Sequence, residues 1–136
     1  MMNYKEIQNT EAAIDAFQDY FAREVAHPLF PSDPEASDTV ETLLNEALIN
    51  AWEHGNRKDP AKRVFVAWRI LEGNGLQVSV RDEGPGFSTP NINHSQAPPV
   101  AQKRGRGLII MSEFADSVSF NPAGNEITIV FKGQAN

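Results

Sequence analysis

The stretch RVFVAWRILEGNGLQVSVRD, residues 63–82, decides what kind of fold this chain can build. Leu76, Val78 and Val80 alternate with Gln77, Ser79 and Arg81, the two-residue period of a strand with one face on a core and the other toward water. In the preceding run Val64, Val66, Trp68 and Ile70 alternate with Phe65, Ala67, Arg69 and Leu71, so both faces of that strand carry apolar residues. Between the two runs, Glu72-Gly73-Asn74-Gly75 reads as a hairpin turn, which makes them antiparallel neighbours. One further step of the period places Asp82 on the apolar side of its strand. A carboxylate has been aimed at whatever covers the sheet.

Two helices are available to cover it. In VETLLNEALINAWEHGN, residues 40–56, the positions Val40, Leu43, Leu44, Ala47, Leu48 and Ala51 form a core-facing stripe, and the helix is expected to run to about His54 and close at Gly55-Asn56. Glu46, Asn50 and His54 follow one another at four-residue steps and border that stripe. Upstream, Thr10 is suited to cap a helix with Ile14, Phe17, Phe21 and Val25 on one face, which Pro28 should end; a short strand is expected over residues 4–8. Downstream, residues 83–104 carry Gly84, Pro85, Gly86, Pro90, Pro98 and Pro99, too long a connection for a routine loop and therefore a lid, a binding loop or disorder. A helix over residues 107–115 and a last strand pair, 117–120 and 127–131, joined by Asn121-Pro122-Ala123-Gly124-Asn125, complete the chain. Strand pairs interrupted by helices predict an α+β two-layer sandwich, a mostly antiparallel sheet with helices on one face, in one domain spanning residues 1–136 with a lid at about 84–104.

Bulk properties remove several function classes. With 136 residues and 40% apolar content the chain can bury a core without covalent staples, and it has no cysteine to make any. Eighteen acidic residues outnumber twelve basic ones, giving a net charge of -6, so a general nucleic-acid surface is not expected. His27, His54 and His94 are too scattered for a zinc cluster. The N-terminal MMNYKEIQNTEAAID has charges where a signal peptide needs an apolar run, and no apolar segment approaches the roughly 18 residues of a spanning helix. The expectation is a cytoplasmic protein with no membrane partner.

Three short segments carry chemistry. In VRDEGPGFS, Gly84 and Gly86 let the backbone turn sharply and a flat ligand approach, while the inward Asp82 can accept a hydrogen bond from an exocyclic amine such as that of adenine. In KRGRGLIIM, Gly105 and Gly107 precede a helix whose first N–H groups, with Lys103, Arg104 and Arg106 beside them, suit a phosphate. No Walker sequence is present. In the helical row, the Asn50 amide oxygen can anchor Mg²⁺, an ion that takes its other ligands from water and nucleotide phosphates, and Glu46 one turn earlier can take a proton from a hydroxyl attacking the terminal phosphate. Each segment alone also has an ordinary structural use: a strand end where Asp82 caps its own turn, a basic loop before a packed helix, a solvated helix face. Their joint occurrence in this order is what argues for a site.

Together, LNEALINAWEHGN, RDEGPGF and GRGLIIM resemble the three boxes of the GHKL ATPase superfamily, which includes gyrase and the histidine kinase catalytic domain. The short form is most similar to the bacterial anti-sigma factor serine kinases, and the likeness extends over nearly the whole chain. It implies the Bergerat sandwich with Mg²⁺ and ATP between helices and lid, Glu46 as the catalytic glutamate, Asn50 as the magnesium ligand and Asp82 as the adenine-binding aspartate. It also implies Gly84, Gly86, Gly105, Gly107 and Leu108 around the nucleotide. Where many members have Gly-Thr opening the last strand, this chain has Gly124-Asn125, whose amide can still hydrogen-bond. His54 matches a position that is commonly His, with a structural role. The implied activity is an ATP-dependent serine/threonine protein kinase acting on a STAS-type anti-sigma antagonist and holding a sigma factor inactive when free; a homodimer stays open. The alternatives are a non-catalytic nucleotide-binding partner-switch module and a detached histidine kinase catalytic domain, the latter disfavoured by the chain's shortness.

Overall fold

The computed structural model describes residues 2–85 and 115–132. The lid and the third helix expected from sequence, with Gly86, Lys103, Arg104, Gly105, Arg106, Gly107 and Leu108, lie outside the described residues. Five strands are present among the described ones: β1 (Asn3–Gln8), β2 (Arg63–Leu71), β3 (Gly75–Arg81), β4 (Ser117–Phe120) and β5 (Glu126–Phe131). They form one sheet in the order β1-β2-β3-β5-β4, every neighbouring pair antiparallel.

The hairpin expected at residues 72–75 is present as a turn of 3₁₀ helix, Glu72–Asn74, in which Gly73 and Asn74 take positive φ, 69° and 64°. It sets the register Val66 to Val80 and Trp68 to Val78. On the other side of β3, Val78 faces Ile129 and Val80 faces Ile127. The alternation read from sequence is therefore carried across three strands, and Val64, Val66, Trp68, Leu76, Val78, Val80, Ile127, Ile129 and Phe131 are all buried. The opposite face is half-buried and mixed, with the Arg81 guanidinium 4.2 Å from the centre of the Phe65 ring and the Ser79 and Thr128 hydroxyls 2.8 Å apart.

The helical layer packs on the apolar face. Helix α1 (Glu11–Phe21) begins where the Thr10 hydroxyl accepts the Ala13 N–H at 3.2 Å, and it buries Ile14, Phe17 and Phe21. Phe17 and Phe21 meet the edge of Trp68 with ring centres 5.7 and 5.5 Å apart, so Trp68 is a core residue that ties α1 to β2. Replacing Thr10 with Ala should cost about 1 kcal/mol, the usual worth of an N-terminal cap, read as a lower midpoint in urea with an unchanged slope.

The expected stop at Pro28 lies one residue from the end of the helical run, which is not uniform along its length. The chain passes through a π-helical turn, Ala22–Ala26, into α2 (His27–Leu29), where Pro28 stands in the first positions of a helical segment. Backbone dihedrals stay helical through this junction and leave the helical region at Phe30, so the run ends one residue past Pro28. Helix α3 (Pro34–Ile49) starts on the Asp33 carboxylate, which accepts the Ala36 N–H at 3.1 Å, and buries Val40, Leu43, Leu44, Ala47 and Leu48 against the sheet. It then widens into a π-helical turn, Asn50–Gly55, that closes when the Asn56 N–H reaches the Ala51 carbonyl at 2.8 Å. Helix and stop were expected; the widened turn was not. No helix among the described residues is long and apolar enough to cross a membrane.

Candidate functional site

The π-helical turn begins at Asn50, the residue proposed from sequence as a metal anchor. Hydrogen bonding to the fifth residue makes a four-residue step fall short of a full turn, so the row Glu46, Asn50, His54 bends at its middle member. Asn50 stands on the wall of a cleft between the helical layer and the sheet, together with Ala47, Ala51, Val80, Asp82, Phe120, Gly124, Asn125, Glu126 and Ile127. Two of the three sequence segments thus meet. Glu46 sits one turn earlier on α3, half-buried and outside that wall, and His54 is half-buried with the Glu53 carboxylate 3.8 Å away.

Asp82 is where the β3 period aimed it. It follows the last residue of β3 and is 4% exposed, on the helix-covered side of the sheet. Its N–H donates to the Asn125 carbonyl at 2.9 Å, and its own carbonyl accepts from the Asn125 side-chain amide at 3.2 Å. Its carboxylate Oδ1 accepts the Gly84 N–H at 2.8 Å. The local turn and the cleft position are therefore compatible: one oxygen shapes the backbone after the strand while the carboxylate remains part of the wall.

Gly55 and Gly84 make room for this carboxylate. A Cβ on Gly55 would overlap the Asp82 carboxylate, and a Cβ on Gly84 would overlap the backbone carbonyl of Gly55. The end of the π-helical turn and the segment after β3 are in backbone contact there, a proximity that no larger residue allows. Gly84 was singled out from sequence; Gly55 was read only as a helix stop. Nothing local in the sequence distinguishes a glycine that ends a helix from one against which a carboxylate packs.

Across the cleft, the turn between β4 and β5 is built on one side chain. Asn121 Oδ1 accepts the N–H groups of Gly124, Asn125 and Glu126 at 2.9, 3.1 and 3.2 Å, and Gly124 takes a φ of 77° that favours glycine. Asn121 also donates to Asn125 Oδ1 at 2.8 Å. The Asn125 amide is thus held from both ends, by Asn121 and by Asp82, where it lines the cleft.

Among the described residues no three or more His, Cys, Asp or Glu side chains converge on a point that could hold a metal ion. The oxygen donor on the helical side of the wall is the Asn50 amide, with the Asp82 and Glu126 carboxylates and the Asn125 amide on the sheet side. That set fits Mg²⁺ only as an ion completed by phosphate oxygens and water, which is a usual arrangement for it.

With the buried Asp82 carboxylate and the Asn50 amide on one cleft, the sequence as a whole matches a known family. The description "Histidine kinase-like ATPase domain" fits residues 7–131. The chain belongs to the histidine kinase-like ATPase family. Among curated relatives, an anti-sigma F factor of Anoxybacillus flavithermus is 32% identical over 105 residues, covering 72% of this chain and 70% of that protein. One from Geobacillus stearothermophilus is 32% identical over 112 residues, covering 79% of this chain and 74% of its own. A solved histidine kinase domain from the blue-light activated histidine kinase of Erythrobacter litoralis EL346 matches with a TM-score of 0.51 at 18% identity, over 87% of this chain. This chain spans 60% of that structure, and the likeness is one of fold. The α+β sandwich expected from sequence is the fold of this ATPase family.

Proposed function

We propose that the chain is an ATP-binding serine/threonine protein kinase of the anti-sigma factor type, folded as a single domain over residues 1–136 and working in the cytoplasm. The observation that carries this reading is the meeting of Asn50 and Asp82 on one cleft, in a chain about a third identical to anti-sigma F factors. In this reading Asp82 accepts the exocyclic amine of adenine, with Gly84 and Gly86 leaving space for the ring and Asn125 at its edge. Asn50 would hold Mg²⁺, which when bound offsets the negative charge of the phosphates. The glycines and amides of Gly105, Gly107 and Leu108, with Lys103, Arg104 and Arg106, would receive those phosphates as the lid at about 84–104 folds over them. Glu46 would take the proton of a partner's serine as its oxygen attacks the terminal phosphorus and ADP departs.

The partners follow from the same reading: a STAS-type antagonist as the phosphorylated protein and a sigma factor as the one held inactive. Names of the relatives support a sigma factor as target. The test is isothermal titration of the chain with ATP and ADP, with and without Mg²⁺, repeated on Asp82→Ala. ATP should bind in a magnesium-dependent way, and the variant should lose about 1.5 to 3 kcal/mol of that binding, or roughly ten- to a hundredfold in affinity. Equal affinity in the variant would remove the adenine role of Asp82. Binding of ATP without phosphate transfer to any serine-bearing partner would leave a nucleotide-gated switch instead of a kinase.

A further inference from the structure

Asn56 is fully buried, at 0% exposure, and every donor and acceptor of its side chain is matched to a specific atom. Its Nδ2 donates to the Arg63 carbonyl at 2.9 Å and to Asn9 Oδ1 at 3.1 Å. Its Oδ1 accepts the N–H of Glu83 at 2.8 Å. Asn9, itself 1% exposed, donates onward to the Asp59 carbonyl at 2.9 Å. A buried side-chain amide that joins the end of the π-helical turn, the end of β1, the start of β2 and the residue after Asp82 does more than stop a helix.

Glu83 is the point of interest, because its N–H belongs to the same peptide group as the carbonyl of Asp82. That carbonyl accepts from the Asn125 side chain at 3.2 Å, while the N–H donates to Asn56 at 2.8 Å. One peptide plane is therefore gripped from both ends by two side-chain amides, one on the sheet side and one at the end of the helical wall. The Glu83 carboxylate adds a further tie, accepting the Arg63 N–H at 2.6 Å. Rotation of this plane changes ψ of Asp82 and moves the Gly84 N–H, the donor that holds the carboxylate Oδ1 at 2.8 Å. Such a group can be reoriented only by breaking a hydrogen bond, one of them to the fully buried side chain of Asn56, and a buried acceptor left unpaired is costly.

We propose that Asn56 and Asn125 act as a clamp on the Asp82–Glu83 peptide, making Asn56 a positioning residue that sets the nucleobase selectivity of the cleft. The inference rests on the reading of Asp82 as the adenine acceptor and adds how its direction is fixed. A carboxylate held in one orientation favours a base that presents an amine and disfavours hypoxanthine, which presents a carbonyl oxygen at the same place. A carboxylate free to swing still contributes charge and loses discrimination.

The experiment is calorimetric titration of the full chain with Mg-ATP and with Mg-ITP, on the native sequence, Asn56→Ala and Asn125→Ala, alongside thermal unfolding of each. The native chain should prefer ATP by roughly ten- to a hundredfold, the range for one charge-assisted hydrogen bond kept or lost. In each variant that ratio should fall below about threefold, chiefly through weaker ATP binding, and the double variant should fall little further because both side chains act through one peptide. A merely structural role predicts something different: a lower unfolding temperature, and ATP and ITP weakened together at an unchanged ratio. That result overturns the clamp. Should Asn56→Ala not fold, the ratio in Asn125→Ala decides by the same criterion, since that change leaves the buried amide network intact. A native chain that binds ATP and ITP equally removes the adenine reading itself, an outcome distinct from a native preference that survives in the variants.

Discussion

Glu46→Gln is expected to slow phosphate transfer to a serine-bearing partner by roughly 10² to 10⁴ while ATP affinity stays within about twofold of the native value. The substitution keeps the shape and length of the side chain and removes its ability to accept a proton, so only a step that needs a base is affected. Glu46 stands one helical turn before Asn50, half-buried and beside the cleft, not in its wall. That placement suits a group that meets the incoming hydroxyl and leaves the nucleotide to other residues. The loss corresponds to about 3 to 5 kcal/mol of transition-state stabilisation, at roughly 1.4 kcal/mol for each tenfold.

Single-turnover transfer from labelled ATP, at nucleotide concentrations well above the dissociation constant, measures this step without a contribution from binding. A rate unchanged by the substitution would take the base role away from Glu46. A fall in affinity with an unchanged rate would place the side chain among the nucleotide contacts instead. Because general-base catalysis contributes only part of a phosphate-transfer barrier, some transfer should persist in the variant, sustained by positioning alone.

The sheet and the helices that cover it were legible in the sequence because burial imposes a period. Leu76, Val78 and Val80 could face only one way, and the same alternation delivered Asp82 to the floor of the cleft. The helical stripe from Val40 to Ala51 was readable for the corresponding reason. What periodicity does not encode is local widening and long-range proximity. The π-helical turn at Asn50–Gly55 leaves the composition of the segment unchanged, yet it bends the polar row beyond Asn50. Pro28 was legible as a stop, since the helical run ends at Leu29, while the π-helical turn before it was not. Asn9 and Asn56 are 47 residues apart, and no motif marks the amide pair they form. Gly55 and Asn56 were visible as punctuation, and their contacts with Asp82 and Glu83 belong to the folded chain alone.

Gly84→Ala should lower ATP affinity by more than the roughly ten- to a hundredfold expected for Asp82→Ala, and should also destabilise the fold by about 1 to 3 kcal/mol, the usual cost of overpacking. The obstacle to its Cβ is the backbone carbonyl of Gly55, which has no rotamer to adopt. Relief requires separation of the segment after β3 from the π-helical turn, and that separation moves Asp82, the Glu83 N–H and the carbonyl gripped by Asn125 together. Gly55→Ala makes the informative contrast, because its Cβ meets the carboxylate of Asp82. Removing that carboxylate should therefore relieve it: the pair Gly55→Ala with Asp82→Ala should regain most of the stability lost in Gly55→Ala alone, whereas Gly84→Ala with Asp82→Ala should not recover. Urea unfolding of the native chain, the three single variants and the two double variants measures both couplings in one series. If the two glycines respond alike to loss of Asp82, the close packing of carboxylate against helix end does not govern this part of the cleft; if they differ as stated, this end of the cleft is shaped by backbone contact before any ligand arrives.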